Sequence, residues 1–94
     1  MSNYNIVFTN SFKKAYKKLS PEVQKQVKVK IEQLMIEPSI PSLRLKINYS
    51  WSSFLKAKAY EISVTMNYRI ILTFEEGRIV LLHTIGTHDI LDKI

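Results

Sequence analysis

The last twelve residues of the chain, HTIGTHDILDKI, hold both of its histidines, His83 and His88, and one of its two glycines. An imidazole titrates near pH 6.5, so it can donate or accept a proton at neutral pH. Upstream, the stretch YEISVTMNYRI carries Glu61, Ser63 and Arg69. On adjacent antiparallel strands these side chains share one face and come within reach of one another. A guanidinium presents a fixed fork of donors that suits phosphate oxygens and stabilises charge accumulating on a pentacoordinate phosphorus. A carboxylate can take a proton from a ribose 2′-hydroxyl, and an imidazole can protonate the leaving oxygen. Glu61, Arg69 and His88 are therefore the candidate catalytic residues of a phosphodiester site, provided that the tail after Thr84 folds back over that face of the sheet. The alternative for Glu61 and Arg69 is a plain cross-strand ion pair, which contributes about 0–1 kcal/mol when exposed. His83 falls within a strand pattern and reads as structural.

The charge is unevenly placed. The formal net charge of +6 sits wholly between Ser11 and Lys46, where nine basic residues face only Glu22, Glu32 and Glu37. From Ile47 onward the charges balance. Such asymmetry suits a polyanion or an acidic protein segment, and it marks Lys13, Lys14, Lys17, Lys18, Lys25, Lys28, Arg44 and Lys46 as candidate RNA-binding residues. Solvation of an ordinary helix face is the plainer use for any one of these lysines. Cysteine is absent, which excludes disulfides and thiolate metal sites, and two histidines are too few for a zinc centre, so neither metal nor cofactor is expected. No apolar run nears the roughly 20 residues that span a bilayer, and Asn3-Tyr4-Asn5 does not suit a signal peptide. The expected setting is the cytoplasm, away from any membrane.

A single domain, residues 1–94, must position these groups. Asn3–Thr9 alternates, with Tyr4, Ile6 and Phe8 to one side, as a strand does. Asn10 or Ser11 can cap the short helix SFKKAYKKL, whose Phe12, Ala15, Tyr16 and Leu19 form one apolar stripe. Ser20-Pro21-Glu22 starts a second helix: serine caps, proline occupies the first turn and glutamate meets the positive end of the dipole. Val23, Val27, Ile31, Leu34 and Met35 continue its stripe until Glu37-Pro38. Pro38–Lys56, with two prolines and a serine cluster, reads mostly as loop, with Trp51 and Phe54 closing the edge of the core and base stacking as the alternative use of their rings. Three β-like runs follow, Ala57–Thr65, Tyr68–Phe74 and Arg78–Thr84, joined by turns at Met66-Asn67 and Glu75-Glu76-Gly77. The expected fold is α+β in the order β-α-α-β-β-β: a twisted, mainly antiparallel four-stranded sheet, with a helical hairpin on one face and the other face bare.

Taken in order, PSLRLKI (Pro41–Ile47), YEISVTMNYRIILTFEEG (Tyr60–Gly77) and IGTHDIL (Ile85–Leu91) give a chain that resembles the RelE/ParE superfamily of toxins from bacterial type II toxin–antitoxin modules, in its RelE-like branch with a Gly-Thr-His-Asp tail. The resemblance covers almost the whole chain, and it implies the same helix-on-sheet fold. It implies a metal-independent endoribonuclease that cuts mRNA on the ribosome by 2′-hydroxyl attack and so stops translation. By the resemblance, Arg69 matches the arginine that stabilises the transition state, and His88 matches a tail position used as general acid or phosphate ligand. The implied partners are the ribosome, mRNA and a cognate antitoxin whose acidic segment covers the positive groove. Glu61 and Ser63 stand where some relatives carry lysines. Asp89, Ile90, Leu91 and Asp92 follow His88, where many ribonuclease members place an aromatic ring. The same resemblance leaves open a ParE-like poison of DNA gyrase, or a binding protein without catalysis.

Overall fold

Thr9 links the two ends of the chain. Its hydroxyl accepts the Phe12 N–H at 3.1 Å, capping the first helix, and also lies 2.9 Å from the carbonyl oxygens of both Leu82 and His83. The cap is thus Thr9, ahead of both Asn10 and Ser11, and its hydroxyl also reaches the final strand. The computed structural model describes residues 3–93. In order the elements are β1 (Asn5–Phe8), α1 (Asn10–Lys17), α2 (Pro21–Ile36), a 3-10 turn (Pro41–Leu43), β2 (Lys46–Ile47), α3 (Tyr49–Leu55), β3 (Tyr60–Ser63), β4 (Tyr68–Glu75), β5 (Ile79–Thr87) and α4 (His88–Leu91).

The strands form one five-stranded sheet in the order β1-β5-β4-β3-β2. Three neighbouring pairs are antiparallel, while β1 runs parallel to β5 with Asn5 opposite Ile79 and Phe8 opposite Leu82. The sheet therefore has one strand more than expected and is mixed. The added strand is two residues long and pairs only with β3, Lys46 against Glu61 and Ile47 against Tyr60.

The α1–α2 hairpin packs as its stripes demand. Phe12, Val27 and Leu34 are buried against Ile62, Ile70, Leu72, Val80 and Leu82, with Ala15, Tyr16, Leu19, Val23 and Ile31 partly buried around them. Ser20 caps α2 by accepting from Val23 N–H. Gly77 adopts φ +79° in the β4–β5 loop, where a side chain would be strained.

The opposite face is not bare. Trp51 of α3 and Leu91 of α4 bury Ile71 and Ala59 there, as a second small core. The segment expected to be loop supplies α3 because Asn48 caps it, accepting from Trp51 N–H at 2.9 Å, and Ser52 turns its hydroxyl back onto the Asn48 carbonyl at 2.7 Å. Trp51 closes this core as expected, and its indole N–H donates to the Leu91 carbonyl at 3.0 Å. Phe54 stays 61% exposed. Among the described residues no helix is long and apolar enough to cross a membrane.

Candidate phosphodiester site

Arg69 lies on β4 opposite Ser63 of β3 and Gly86 of β5, on the face away from the helical hairpin. Its Nη1 donates to the carbonyls of Thr65, Met66 and Tyr68 at 2.8, 3.2 and 3.1 Å, which pins the guanidinium against the β3–β4 turn. Its Nε stands 3.5 Å from Glu61 Oε2. Among the described residues Nη2 makes no hydrogen bond, so one edge of the fork is free for a phosphate oxygen. A Cβ on Gly86 would meet Ile90 and Leu91 at 3.5 Å, so α4 lies close over the strand beside the arginine.

Glu61 is buried at 6% exposure, and both of its oxygens are engaged. Oε1 accepts from Asn48 Nδ2 at 3.0 Å, while Oε2 faces Arg69 and, at 3.8 Å, the exposed ammonium of Lys46. The carboxylate thus holds the arginine rather than standing open to a 2′-hydroxyl. Asn48 has no signature in the sequence beyond its type. It acts twice, capping α3 with its oxygen and fixing Glu61 with its amide nitrogen.

His88 is the first residue of α4, whose cap is the Thr87 hydroxyl. Its backbone N–H donates to the Asn67 carbonyl at 3.2 Å, so β5 and α4 bring it to the turn that also holds Arg69. The ring is 61% exposed, and Nδ1 lies 3.3 Å from Asp92 Oδ2. The structure therefore joins Glu61 to Arg69 directly. It sets His88 beside the same turn, without a hydrogen bond or ion pair to either. Asp92 as partner of the imidazole follows from i,i+4 spacing once a helix is known to start at His88.

The eight candidate RNA-binding residues are all exposed, but they do not share one surface. Lys14 and Lys18 border a cleft of about 520 Å³ whose other wall includes Gly86, Thr87 and Ile90, next to the tail. Lys13, Lys17 and Lys28 instead rim a groove of about 480 Å³ floored by Phe8, Phe12, Tyr16 and Ile31. Arg44 follows the 3-10 turn with a left-handed φ of 52°, and Lys46 reaches Glu61. Lys25 lies on α2, in the hairpin layer across the sheet from Arg69.

His83 occupies a bulge: Ile71 pairs with Thr84 and Leu72 with Leu82, leaving the histidine without an opposite residue. Its Nε2 lies 2.8 Å from Thr73 Oγ1, which donates to Glu75 Oε2 at 3.2 Å. Burial pushes the ring below its ordinary value of 6.5, against a smaller upward pull from Glu75. Among the described residues no three His, Asp or Glu side chains gather as metal ligands would.

The fold as a whole recurs in solved structures of toxins and toxin–antitoxin complexes. A chain of the archaeal RelE–RelB complex from Pyrococcus horikoshii superposes with a TM-score of 0.72, covering 93% of this chain and 96% of that one at 13% identity. The fold is RelE-like. A chain of the toxin–antitoxin complex RelBE2 from Mycobacterium tuberculosis gives 0.64 at 18% identity, covering 92% of this chain and 99% of that one. For YafQ from E. coli the score is 0.62 at 18% identity, with coverages of 94% and 97%. No protein-family profile and no curated protein sequence matches the chain. At these identities the likeness establishes the RelE-like fold; the chemistry has to come from the residues.

Proposed function

We propose that this RelE-like chain is the toxin of a toxin–antitoxin module and cleaves mRNA on the ribosome without a metal ion. The observation that carries the reading is the constrained guanidinium of Arg69, with one free edge, at the turn to which the backbone of the exposed His88 is also bonded. In the reaction the ribose 2′-oxygen bonds to phosphorus as the bond to the 5′-oxygen breaks. The 2′-proton departs to solvent, and His88 supplies a proton to the 5′-oxygen. Arg69 Nη2 meets the charge on the equatorial oxygens. Glu61 serves by orienting Arg69. Lys14 and Lys18 border the cleft beside the tail, and Lys46 reaches Glu61. The remaining basic residues, Lys13, Lys17, Lys25, Lys28 and Arg44, bind RNA more remotely, through charge that salt weakens. An antitoxin, as in the toxin–antitoxin complexes that share the fold, neutralises the chain in the cytoplasm by laying an acidic segment on this surface.

Purified protein added to ribosomes programmed with mRNA tests the reading. Cleavage should fall at least about 100-fold in Arg69→Ala and in His88→Ala. Undiminished cleavage by both variants removes the assignment. Blocked gyrase supercoiling with untouched translation would make the chain a gyrase poison instead.

A further inference from the structure

A second cleft opens beside α3. It has a volume of about 430 Å³ and is lined by Trp51, Phe54, Leu55 and His83 together with hydroxyl-bearing side chains. Two residues, Ser11 and Thr84, also line the cleft that carries Lys14 and Lys18, so the two hollows adjoin. We propose that this double cleft seats one nucleotide of single-stranded RNA, its base against Phe54 and His83 and its phosphate on Lys14 and Lys18. The choice of RNA as ligand rests on the function proposed above.

Three features carry this. Phe54 is 61% exposed, yet it stands edge-on to the buried Trp51 at 5.2 Å, so the ring is braced while open to solvent. An exposed, immobilised aromatic face is what base stacking uses, since every base has a π-face. The second feature is the tautomer of His83. Glu75 as carboxylate can only accept, so the single Thr73 hydroxyl proton goes to Glu75 and the hydroxyl oxygen accepts from His83 Nε2–H. Nδ1 of the neutral ring is then a bare acceptor. It has no protein partner, and no side-chain polar atom among the described residues is both buried and unpaired, so Nδ1 meets solvent. A base edge that donates an N–H can occupy that position. Third, the volume lies within the roughly 300–1,000 Å³ of small-molecule clefts, and its walls combine apolar side chains with the His83 imidazole and a few hydroxyls.

Trp51 is the chain's one tryptophan and lines the cleft, so its emission reports occupancy. The probes are a short oligoriboadenylate and an abasic chain of equal length, which carries the same phosphates without bases. The oligoadenylate should shift Trp51 emission saturably and bind more tightly than the abasic chain. By calorimetry, Phe54→Ala should weaken it about 5- to 150-fold. His83→Gln keeps a donor for Thr73 but leaves no acceptor at the position of the ring's Nδ1, and should weaken it about 2- to 10-fold. Replacing Lys14 and Lys18 by alanine should lower the slope of log affinity against log salt by about 0.7 for each phosphate that is no longer neutralised. Equal affinity for both probes, or oligoadenylate binding unchanged in both Phe54→Ala and His83→Gln, overturns the base site. The mRNA cleavage assay reports separately: a chain that binds as described but cuts no mRNA upholds the cleft and sinks the ribonuclease reading.

Discussion

Replacing Glu61 by glutamine keeps the shape of the side chain and removes the charge that holds Arg69. The loss can be worked from the contacts. Lys46 is 68% exposed at a separation of 3.8 Å and contributes little. The Asn48 amide at 3.0 Å can still donate to the new carbonyl oxygen. What remains is the Arg69 interaction, in which the two side chains are 18% and 8% exposed. Partners in one such ion-pair network couple by about 0.5–3 kcal/mol. The three turn carbonyls still hold the guanidinium, so the expected cost of Glu61→Gln is about 2 kcal/mol. For a domain of this length, about 4–8 °C of melting temperature goes with each kcal/mol, so the midpoint should drop by about 8–16 °C. The decisive assay is a cycle with Arg69→Met, read by denaturant unfolding. If the pair acts as one unit, glutamine at position 61 costs at least about 1 kcal/mol less in the methionine background. Additivity to within about 0.5 kcal/mol would refute the view that Glu61 is there to hold Arg69.

The His83 ring is held below 6.5 by burial, so in the window between its native value and 6.5 the unfolded chain binds more protons. Stability from this group is therefore fully present above that window and is lost as pH falls through it; thermal melts should show wild type losing ground to His83→Gln on acidification, and parallel curves would contradict it. Gly77→Ala forces a side chain to φ +79° and should cost about 1 kcal/mol, whereas Gly86→Ala meets only ordinary contacts at 3.5 Å and should melt close to wild type. Trp51→Phe leaves the Leu91 carbonyl without its donor, at about 1–3 kcal/mol. Amide exchange in α4 should then accelerate well ahead of exchange in β4, and uniform protection would show that the indole does not fasten the tail.

The elements that were legible in the sequence carry their own local reasons. Ser20-Pro21-Glu22 starts α2, and alternation through Ile70, Leu72 and Phe74 marks the helix-facing side of β4. The short elements were not legible, because their stability is tertiary. The two residues of β2 exist through pairing with β3, and the seven of α3 through Trp51 reaching Leu91, forty positions away. The same applies to the site. Glu61 and Arg69 could be placed together from strand register alone. The burial that turns Glu61 into a fastening depends on Asn48 and α3, inside a stretch whose serines and prolines spoke for loop. The bulge at His83 likewise left no mark in the alternation of RIVLLHT.

The parallel pairing of β1 with β5 has a consequence for how the protein is made. β1 finds its one strand partner more than seventy residues downstream, and Thr9 reaches the same late strand. During synthesis the first strand must therefore wait, unpaired, until Ile79–Thr87 has cleared the ribosome's exit tunnel. The long loop that this closes is an entropic cost met only at the end. Chains released early, before residue 79, would carry the hairpin and β1 to β4 but could not complete the sheet.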